Sequence, residues 1–461
     1  MSEQTAPDTR AVETVDASGL TLAIANWSAG RSDGDIEPEA LMFARHCLLD
    51  FLGVGFAGAD EDGVAMLRTE LAGGDALAAG PSTVVGRQGQ ARPLDAALIN
   101  GTAAHALDFD DVHFDIPGHP TVAVLPAVLA AAEQDGATLG QVLAALVTGV
   151  EVACAVGRFM THTHYRQGWH GTGTVGALGA AAGVARLRGL DADATARALG
   201  LTISQCGGLK SMFGTMCKPM HAGRAAYNGL LSAALAARGF TARTDMLECD
   251  QGFAAAFAGT PNPAAALNGL GGDSAIRGVL FKYHAACYGT HACIDAMLKA
   301  RNELGLQAEQ VERIDLTVPE ENLRICDIKQ PSTGLEAKFS MTMTSAMALS
   351  GVATGDVDSY SEATCRRADV VSIRERVNVV PDPAQFKAVA TASIHMLDGV
   401  VHRTEANVGI AETDLDHQQR RLTEKFSLLA APVIGDAAEI VSAEVLEGDA
   451  GLPIATVMAR C

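Results

Sequence analysis

The stretch Leu139–Phe159, LGQVLAALVTGVEVACAVGRF, carries apolar residues at intervals of three and four positions along its length. This spacing predicts an α-helix that buries its apolar side chains. Working outward from it, the same spacing recurs in residues 121–133, 176–188, 192–205 and 222–238. We therefore predict that the chain is helical from Leu20 to about Gly272.

The pattern changes near Leu270-Gly271-Gly272-Asp273, after which signals of β-strands appear. Residues 311–318 alternate apolar and polar side chains, and residues 389–397 and 400–408 predict a hairpin around Asp398-Gly399. Helices are predicted between and after these strands, over residues 294–304, 339–350 and 415–429. The end of the chain after Leu429 is ambiguous and is also compatible with short strands.

These patterns predict a mainly α protein with an α+β part. A large all-α helical domain comprises residues 17–272 and 410–461, and a smaller α+β lid domain, residues 273–409, is inserted late in the chain. Residues 1–16 are predicted to form a disordered tail. Two domains are also what a chain of 461 residues leads us to expect.

The composition limits the class of protein further. The chain is 48% hydrophobic and only 5% aromatic, and its 48 glycines favour closely packed helices. Its net charge of −20 argues against binding to nucleic acids or anionic membranes. An anionic substrate would therefore need basic residues gathered at one place in the fold.

The cysteine pattern and the amino terminus predict a cytoplasmic protein. Ten cysteines occur without any C-x-x-C pair, which excludes zinc-ribbon and ferredoxin spacings. The first ten residues lack the apolar core of a signal peptide. Because no stretch reaches eighteen uninterrupted apolar residues, we predict no transmembrane helix.

The densest group of ionisable residues is the run HALDFDDVH, His105–His113, followed by His119. Carboxylates beside imidazoles suit proton transfer, and they are costly to bury without such a role. A solvated acidic loop is the plain alternative. Zinc or iron ligation is another, but no H-E-x-x-H signature is present, and we predict no metal. The residues with suitable ligand types are His105, Asp108, Asp110, Asp111 and His113.

A second motif, KPMHAGR, covers Lys218–Arg224 at the start of the predicted helix 222–238. Pro219 suits a first helical turn, which puts Lys218 and His221 at the positive end of the helix. Such an end binds carboxylate or phosphate groups. The alternative is an ordinary exposed helix start.

A third motif, WHGTG, puts His170 before a glycine-rich helix. Its glycines match the G-x-G-x-x-G dinucleotide fingerprint by letter, but the preceding segment is polar and is not a buried strand. The glycines are better explained by close packing or by backbone approach to a ligand. His170 is either a ligand-facing residue or a core histidine.

A fourth motif, FKYHAACYGTH, spans residues 281–291. Lys282 could face a ligand. Cys287 precedes a helix among basic neighbours, so it is either one half of a catalytic Cys-His pair or a structural thiol. A serine hydrolase is disfavoured, because Ser204 and Ser211 lack the G-x-S-x-G elbow.

Taken together, these stretches resemble the MmgE/PrpD family, which includes 2-methylcitrate dehydratases, cis-aconitate decarboxylases and iminodisuccinate epimerases. The resemblance rests on NGTAAHALDFDDVH…GHPTVAVLPA, WHGTGTVGALGAAAGVARL, FGTMCKPMHAGRAAYNGLLSAALAARGF, FKYHAACYGTHACIDA and EAKFSMT. It implies a helical domain built from both chain ends, an α+β lid and a homodimer. It also implies a site between the domains that acts on small di- or tricarboxylates without a metal or organic cofactor.

The resemblance also supplies the predicted site. Its catalytic residues are Asp108, His119, His170 and Lys218. The expected substrate-binding residues are Lys282, His221, His113, Arg224 and Cys287. In this hypothesis the lysines bind substrate carboxylates, His119 and His170 are the acid/base candidates, and Asp108 orients a histidine or takes the proton itself.

The chain departs from the decarboxylase members of the family at three positions. Val112, Cys287 and Met343 stand where those members carry Thr, His and Tyr. These departures argue against cis-aconitate decarboxylation, but they do not separate a dehydratase from an epimerase. We predict a lyase resembling 2-methylcitrate dehydratase, with a dicarboxylate epimerase as the alternative. A cis-aconitate decarboxylase or a non-catalytic carboxylate binder is a second alternative.

Overall fold

The computed structural model describes residues 19–72, 79–87, 89–257, 260–271, 275–386 and 388–461. The predicted disordered tail, residues 1–16, lies outside the described residues. The predicted domain boundary at residues 272 and 273 lies outside them as well, so the exact domain limits stay a prediction.

The amino-terminal part is helical, as the apolar spacing predicts. Its helices are α1 (Leu20–Gly30), α2 (Pro38–Gly58), α3 (Asp62–Ala72), α4 (Pro93–Ala106), α5 (Pro120–Asp135), α6 (Leu139–Arg166), α7 (Gly171–Leu187), α8 (Ala192–Ile203), α9 (Cys217–Ala237), α10 (Phe253–Phe257) and α11 (Pro263–Asn268). Two short strands, β1 (Ser82–Thr83) and β2 (Gln90–Ala91), pair between α3 and α4. Apolar side chains of these helices form the main core.

The following part combines helices with one four-stranded sheet. The helices are α12 (Tyr288–Asn302), α13 (Leu323–Cys326), α14 (Gly334–Ala337), α15 (Met341–Leu349), α16 (Glu362–Cys365) and α17 (Ala368–Arg374). The strands are β3 (Val311–Pro319), β4 (Val377–Asp382), β5 (Val389–Met396) and β6 (Val401–Asn407), in the order β4-β3-β5-β6. The α+β character of this part is therefore confirmed.

The hairpin predicted around Asp398-Gly399 is confirmed, because β5 and β6 pair antiparallel on either side of it. Strand β4 was not predicted. It contains Pro381, which lacks the N–H group that an interior strand needs, and it lies at the sheet edge, parallel to β3.

The end of the chain is helical, so the short strands considered there were wrong. Helices α18 (Leu415–Ile434), α19 (Ala437–Glu447) and α20 (Ile454–Met458) follow β6. Helix α18 packs on α2, where Lys425 Nζ lies 2.6 Å from Asp50 Oδ1 and Phe426 covers Gly53. The two ends of the described chain therefore share one helical layer.

Helices α4 and α9 pack unusually closely, and this contact positions the site. A Cβ atom on Gly101 of α4 would lie 2.8 Å from the Cα atom of Gly223 on α9. Real Cβ atoms do not approach so closely, so both positions require glycine. The contact brings the start of α9 beside the end of α4.

Helices α2 and α6 are long and apolar enough to cross a membrane by length and composition. However, 78% and 89% of their most apolar segments are buried inside the fold. This burial fits helices of a protein core.

Candidate active site

The candidate site consists of two adjoining cavities between the helical part and the α+β part. The larger cavity has a volume of about 590 Å³ and the smaller one about 270 Å³. The residues that line both are Asp108, Gly214, Lys218, Cys287 and Phe339. Residues predicted from separate motifs therefore meet at one place.

Asp108 follows α4 and lies at the centre of the site. Its φ of 52° is in the left-handed region, which residues other than glycine rarely occupy. Its Oδ1 atom lies 2.8 Å from Lys218 Nζ and 2.9 Å from Lys282 Nζ. The fully buried Lys282 also donates to the Asp108 carbonyl oxygen at 2.6 Å. One carboxylate thus holds two ammonium groups from distant parts of the chain.

The charges of this cluster reinforce one another. Burial works to raise the pKa of Asp108, but the positive charges of Lys218 and Lys282 outweigh it and hold the pKa well below its usual value. Burial works to lower the pKa of Lys282, but the carboxylates of Asp108 and Asp110 outweigh it and raise the pKa. Because two ammonium groups face the single carboxylate of Asp108, this group of three side chains has a net positive charge that can attract an anionic ligand.

Asp110 holds two buried histidines beside this cluster. His105 Nδ1 lies 2.9 Å from Asp110 Oδ2, and His119 Nδ1 lies 2.9 Å from the same oxygen. Burial works to raise the pKa of Asp110, but His105 and His119 outweigh it and keep the pKa well below its usual value. An ionised carboxylate only accepts hydrogen bonds, so it favours a proton on the Nδ1 atom of each ring. His119 Nε2 faces Asp108 Oδ1 at 3.7 Å.

His170 belongs to a different chain of contacts. It directly precedes α7 and lines the smaller cavity. Its Nδ1 atom lies 3.0 Å from His221 Nδ1, and His221 Nε2 lies 3.7 Å from Cys217 Sγ. The neighbours of His170 are therefore a histidine and a thiol, whereas those of His119 are carboxylates.

Burial lowers the pKa of three histidines in the site. The pKa of His105 falls to about 4, chiefly through burial. Burial, and then the neighbouring His105 and Lys218, hold the pKa of His170 well below its usual value. Burial and Lys218 also lower the pKa of His221. These rings are neutral at pH 7, so each has one nitrogen that donates and one that accepts.

Asp111 lies behind the site and makes no contact with the lysines. Its two oxygens accept hydrogen bonds from the backbone N–H, at 3.4 Å, and from the hydroxyl of Thr121. Burial raises the pKa of Asp111 to about 8, and the nearby Asp50 and Asp110 add to this effect. Asp111 is therefore a neutral acid that supports the start of α5.

His113 lines the smaller cavity, but both of its ring nitrogens are already bonded. Its Nε2 atom donates to the Ala275 carbonyl at 2.9 Å, and its Nδ1 atom accepts from the Asp115 N–H at 3.1 Å. Its predicted role in substrate binding would need a nitrogen that is free. Both nitrogens are engaged within the fold, and a substrate-binding role for His113 stays a prediction.

Arg224 is not among the residues that line either cavity, so its role in substrate binding stays a prediction. It is exposed, and its guanidinium lies 4.9 Å from the ring centre of Tyr227. Six positions separate it from Lys218, which is about 240° around a helix. The side chain therefore points away from the face of α9 that carries Lys218.

Cys287 lies at the boundary of both cavities and directly precedes α12. A hydrogen bond from Cys326 lowers the pKa of the Cys287 thiol, and the ammonium of Lys282 adds to this effect. Its backbone N–H donates to the Lys338 carbonyl at 3.0 Å. The geometry allows both a ligand-facing thiol and a structural one.

The ligand atoms of His105, Asp108, Asp110 and His119 all lie within 4.8 Å of one another, as in a metal site. However, the oxygen of Asp108 that faces this group is held by two ammonium groups. A metal cation there would face strong repulsion from both lysines. The chemistry of this donor set therefore does not suit a metal ion.

The glycines after His170 serve close packing, as the sequence analysis favours. A Cβ atom on Gly171 would collide with the Ile116 carbonyl, and one on Gly173 would collide with the Gly207 carbonyl. The loop that precedes His119 can therefore lie directly against the start of α7.

Most residues that line the cavities were not predicted from the sequence, and Phe213 and Lys338 are two examples. Phe213 packs edge-on against His170, with ring centres 5.0 Å apart. Lys338 lines the larger cavity. It is the lysine of the EAKFSMT motif, so the motif itself was the signal that could have identified it.

Comparison with known proteins places this geometry in a family. Residues 22–266 match the MmgE/PrpD N-terminal domain, and residues 284–447 match the MmgE/PrpD C-terminal domain. The chain belongs to the MmgE/PrpD family. The family resemblance expected from the motifs is therefore confirmed.

Relatives of this MmgE/PrpD protein include several decarboxylases. Human cis-aconitate decarboxylase is 27% identical over 436 residues, covering 90% of this chain and 88% of the relative. The mouse enzyme of the same name is 27% identical over 446 residues, covering 90% and 87%. Cis-aconitate decarboxylase from Aspergillus terreus is 31% identical over 247 residues, covering 51% and 49%. The family and these relatives support an enzyme of the carboxylate-lyase type.

Proposed function

We propose that this protein is a cofactor-independent dehydratase of a small di- or tricarboxylate. It removes a proton from the carbon next to a carboxylate and expels a hydroxyl group as water. The observation that carries this proposal is the pair His119 and His170. Both histidines line the cavity that contains Asp108 and the two lysines, but the groups next to their Nδ1 atoms differ in kind, a carboxylate for His119 and a histidine for His170.

The lysines supply the binding of the substrate and the stabilisation of charge. A carboxylate next to the reacting carbon becomes an enediolate when the proton leaves, so negative charge grows on its oxygens. Lys218 and Lys282 are held in place by Asp108 before the substrate binds. Fixed donors of this kind contribute several kcal/mol, on the order of 3, to transition-state stabilisation.

His119 is the base in this mechanism. Its Nδ1 proton faces the Asp110 carboxylate, which leaves the lone pair on Nε2 free to accept a proton. The imidazolium that forms is stabilised by Asp110 on one side and by Asp108 on the other. A positioned base contributes roughly 10²–10⁴-fold to the rate.

His170 is the acid in this mechanism. If the Cys217 thiol donates to His221 Nε2, His221 carries its proton on Nδ1 and donates it to His170 Nδ1. His170 then carries its own proton on Nε2, the nitrogen left for the cavity. That proton goes to the departing hydroxyl, which leaves as water, while His170 Nδ1 takes the proton of His221 Nδ1 and His221 Nε2 takes the proton of the Cys217 thiol.

A base and an acid together favour dehydration over decarboxylation. Loss of CO₂ from a substrate needs a proton donor for the resulting carbanion, but it needs no base to remove a C–H proton. The substitutions relative to the decarboxylases agree with this, since Val112 and Cys287 both line the smaller cavity. They remove the Thr and His groups expected for the decarboxylase members.

Epimerisation is the second candidate, because it also needs two proton-transfer groups at one carbon. The ring centres of His119 and His170 are 6.4 Å apart and nearly perpendicular, so one substrate carbon could lie between them. In that reaction one histidine removes the proton and the other returns it to the opposite face, and no water is lost.

An NMR screen in D₂O tests the proposal. The panel is citrate, 2-methylcitrate, malate, cis-aconitate and iminodisuccinate. A dehydratase should convert a hydroxy acid into an alkene and incorporate deuterium next to the carboxylate. Deuterium incorporation with inversion but no alkene would support the epimerase, and itaconate from cis-aconitate would support the decarboxylase. No exchange with any compound would contradict the catalytic proposal.

A further inference from the structure

Lys425 is a buried lysine that the proposed mechanism does not use. It lies on α18, and its side chain is only 6% exposed. Its Nζ atom donates to Asp50 Oδ1 of α2 at 2.6 Å and to the Phe109 carbonyl oxygen at 2.7 Å. None of the described residues that line the two cavities belongs to α18, so Lys425 lies behind the site and not beside the substrate.

The carbonyl group that Lys425 contacts lies between the two carboxylates of the site. Phe109 separates Asp108, whose carboxylate faces two lysines, from Asp110, whose carboxylate faces two histidines. The peptide groups on both sides of Phe109 are held by buried lysines, since Lys282 donates to the Asp108 carbonyl at 2.6 Å and Lys425 donates to the next carbonyl. Two ammonium groups from distant parts of the chain therefore fix two consecutive carbonyl groups.

These two hydrogen bonds hold a strained piece of backbone. Asp108 has a φ of 52°, and a residue other than glycine keeps such a conformation only where its surroundings enforce it. A hydrogen bond from a charged donor is stronger than one between neutral groups. The bond from Lys425 holds the peptide group that leads from Phe109 into Asp110. It therefore also sets the direction in which the Asp110 carboxylate leaves the backbone.

Stability alone does not explain a lysine at this position. Lys425 and Asp50 are both buried. Replacing a buried ion pair with apolar side chains of similar size is often neutral or stabilising, because the cost of removing two charges from water can exceed their mutual attraction. What an apolar pair would lose here is the hydrogen bond to the Phe109 carbonyl.

We propose that Lys425 is a positioning residue for the two carboxylates of the site, and that Asp50 holds the Lys425 ammonium group in place. Without the hydrogen bond to the Phe109 carbonyl, the strained backbone relaxes, and the carboxylates of Asp108 and Asp110 move away from their partners. This inference rests on the proposed function, because it assumes that these carboxylates serve the reaction. It gives α18 a part in activity although the helix lies outside both cavities.

Three variants of the full chain separate this role from a purely structural one. Lys425→Met removes the donor. Asp50→Leu combined with Lys425→Met removes the donor together with both buried charges, so it leaves no unpaired carboxylate. Lys425→Arg keeps a positive charge with N–H donors. Lys299→Met is the matched control, because the exposed Lys299 also donates to a backbone carbonyl, that of Glu405 at 2.9 Å, but lines neither cavity.

Two measurements are compared with thermal unfolding. The first is the rate of proton exchange in D₂O, with the compound of the NMR panel that the unmodified protein exchanges fastest. The second is NMR of the protein with ¹⁵N-labelled histidine at pH 7. His105 is the reporter, because its Nδ1 atom hydrogen-bonds the Asp110 carboxylate at 2.9 Å. The variant His105→Gln assigns its signal.

The double variant should unfold at nearly the same temperature as the unmodified protein but exchange protons about tenfold to a hundredfold more slowly, since small displacements of catalytic groups have effects of this size. Its His105 should lose the form protonated on Nδ1, because the hydrogen bond made by that nitrogen sets the tautomer. Lys425→Arg should retain more exchange than Lys425→Met, and Lys299→Met should match the unmodified protein. The double variant keeps the test available if Lys425→Met does not fold.

An unchanged exchange rate and an unchanged His105 signal in the double variant would overturn the inference. A loss of exchange that only follows the unfolded fraction, or that Lys299→Met shows equally, would overturn it too. These results leave the proposed function standing as long as the unmodified protein exchanges substrate protons. If it exchanges none, the proposed function is contradicted, and the His105 signal alone decides whether Lys425 positions Asp110.

Discussion

At the scale of single residues, the site depends on the partners that each ionisable group has. Asp108 is held in a left-handed backbone conformation and faces two lysines. Residues with such backbone strain are concentrated at functional sites, where the surrounding structure holds the strained conformation in place. The histidines are chemically alike in sequence, but a carboxylate backs His119 and another histidine backs His170. Because both residues are histidines, it is their neighbouring groups that distinguish the proposed base, His119, from the proposed acid, His170.

His119→Gln and His170→Gln should each reduce kcat/KM by at least about 10²-fold, because each loses a group that transfers a proton. The two variants should differ in D₂O. The His119 variant should lose exchange of the substrate proton, whereas the His170 variant should keep exchange and lose water elimination. His417→Gln, at an exposed position, is the control. Near-normal rates in both variants would refute the assignment.

Asp111→Asn should make stability less sensitive to pH between 6.5 and 8. The pKa of Asp111 is about 8 in the fold against an ordinary 3.8, so the folded state keeps a proton that the unfolded state has lost. The free energy of unfolding of the unmodified protein should therefore fall as pH rises through this window. The histidines whose pKa is lowered in the fold change the stability mainly below this pH window, because their ordinary pKa is 6.5. Urea denaturation of the unmodified protein and the variant at pH 6.5 and pH 8 measures how the free energy of unfolding changes with pH. An equal change in the two proteins would contradict this explanation.

At the scale of elements, the catalytic groups are carried at helix ends that meet. Asp108 follows α4, His119 and His170 directly precede α5 and α7, and Lys218 lies in the first turn of α9. Glycines allow these helices to approach closely enough for the ends to converge. Because backbone atoms make these contacts, even a methyl group should disturb the geometry.

Gly223→Ala should lower activity and stability together. The added methyl group would collide with the Leu98 carbonyl and the Thr102 hydroxyl of α4, so α9 would shift and carry Lys218 away from Asp108. We expect a loss of about 1–3 kcal/mol in the free energy of unfolding and a lower kcat/KM. Gly30→Ala is the matched control, since no atom lies within 4 Å of the added Cβ. Equal behaviour of the two variants would contradict the packing argument.

At the scale of the whole molecule, the site requires both parts of the chain. Lys218 and the histidines come from the helical part, whereas Lys282, Cys287 and Lys338 come from the segment that begins the α+β part and from its short helices. Neither part alone contains the complete charged cluster.

We expect the protein to be a homodimer, as the family resemblance implies. The segment before α9 exposes apolar side chains beside the cavities, among them Leu209, Met212 and Met216. Exposed apolar groups of this kind are typical of contact surfaces. Light scattering at micromolar concentration should give twice the chain mass of 47.6 kDa. A mass of one chain would contradict the expectation, and Leu209→Glu with Met216→Glu should favour the monomer if this surface is the interface.

The sequence by itself determined most of the long helices, the β5–β6 hairpin and the chemistry of the motifs. Helical periodicity, the Asp-Gly hairpin and the change near residue 272 are local patterns, because they depend on side chains a few positions apart. For the same reason, the sequence could name Asp108, His119, His170, Lys218 and Lys282 as a set only through the family motifs. Periodicity did not reveal β4, whose pairing with β3 depends on a distant strand.

The tertiary structure alone decided which of these groups meet. Asp108 and Lys282 are 174 positions apart, and His170 and His221 are 51 apart, so no local pattern records their contact. Packing also directed Arg224 outward and bonded both ring nitrogens of His113. The physical reason is that hydrogen bonds and ion pairs depend on distances of a few ångströms, which close packing of distant helices sets.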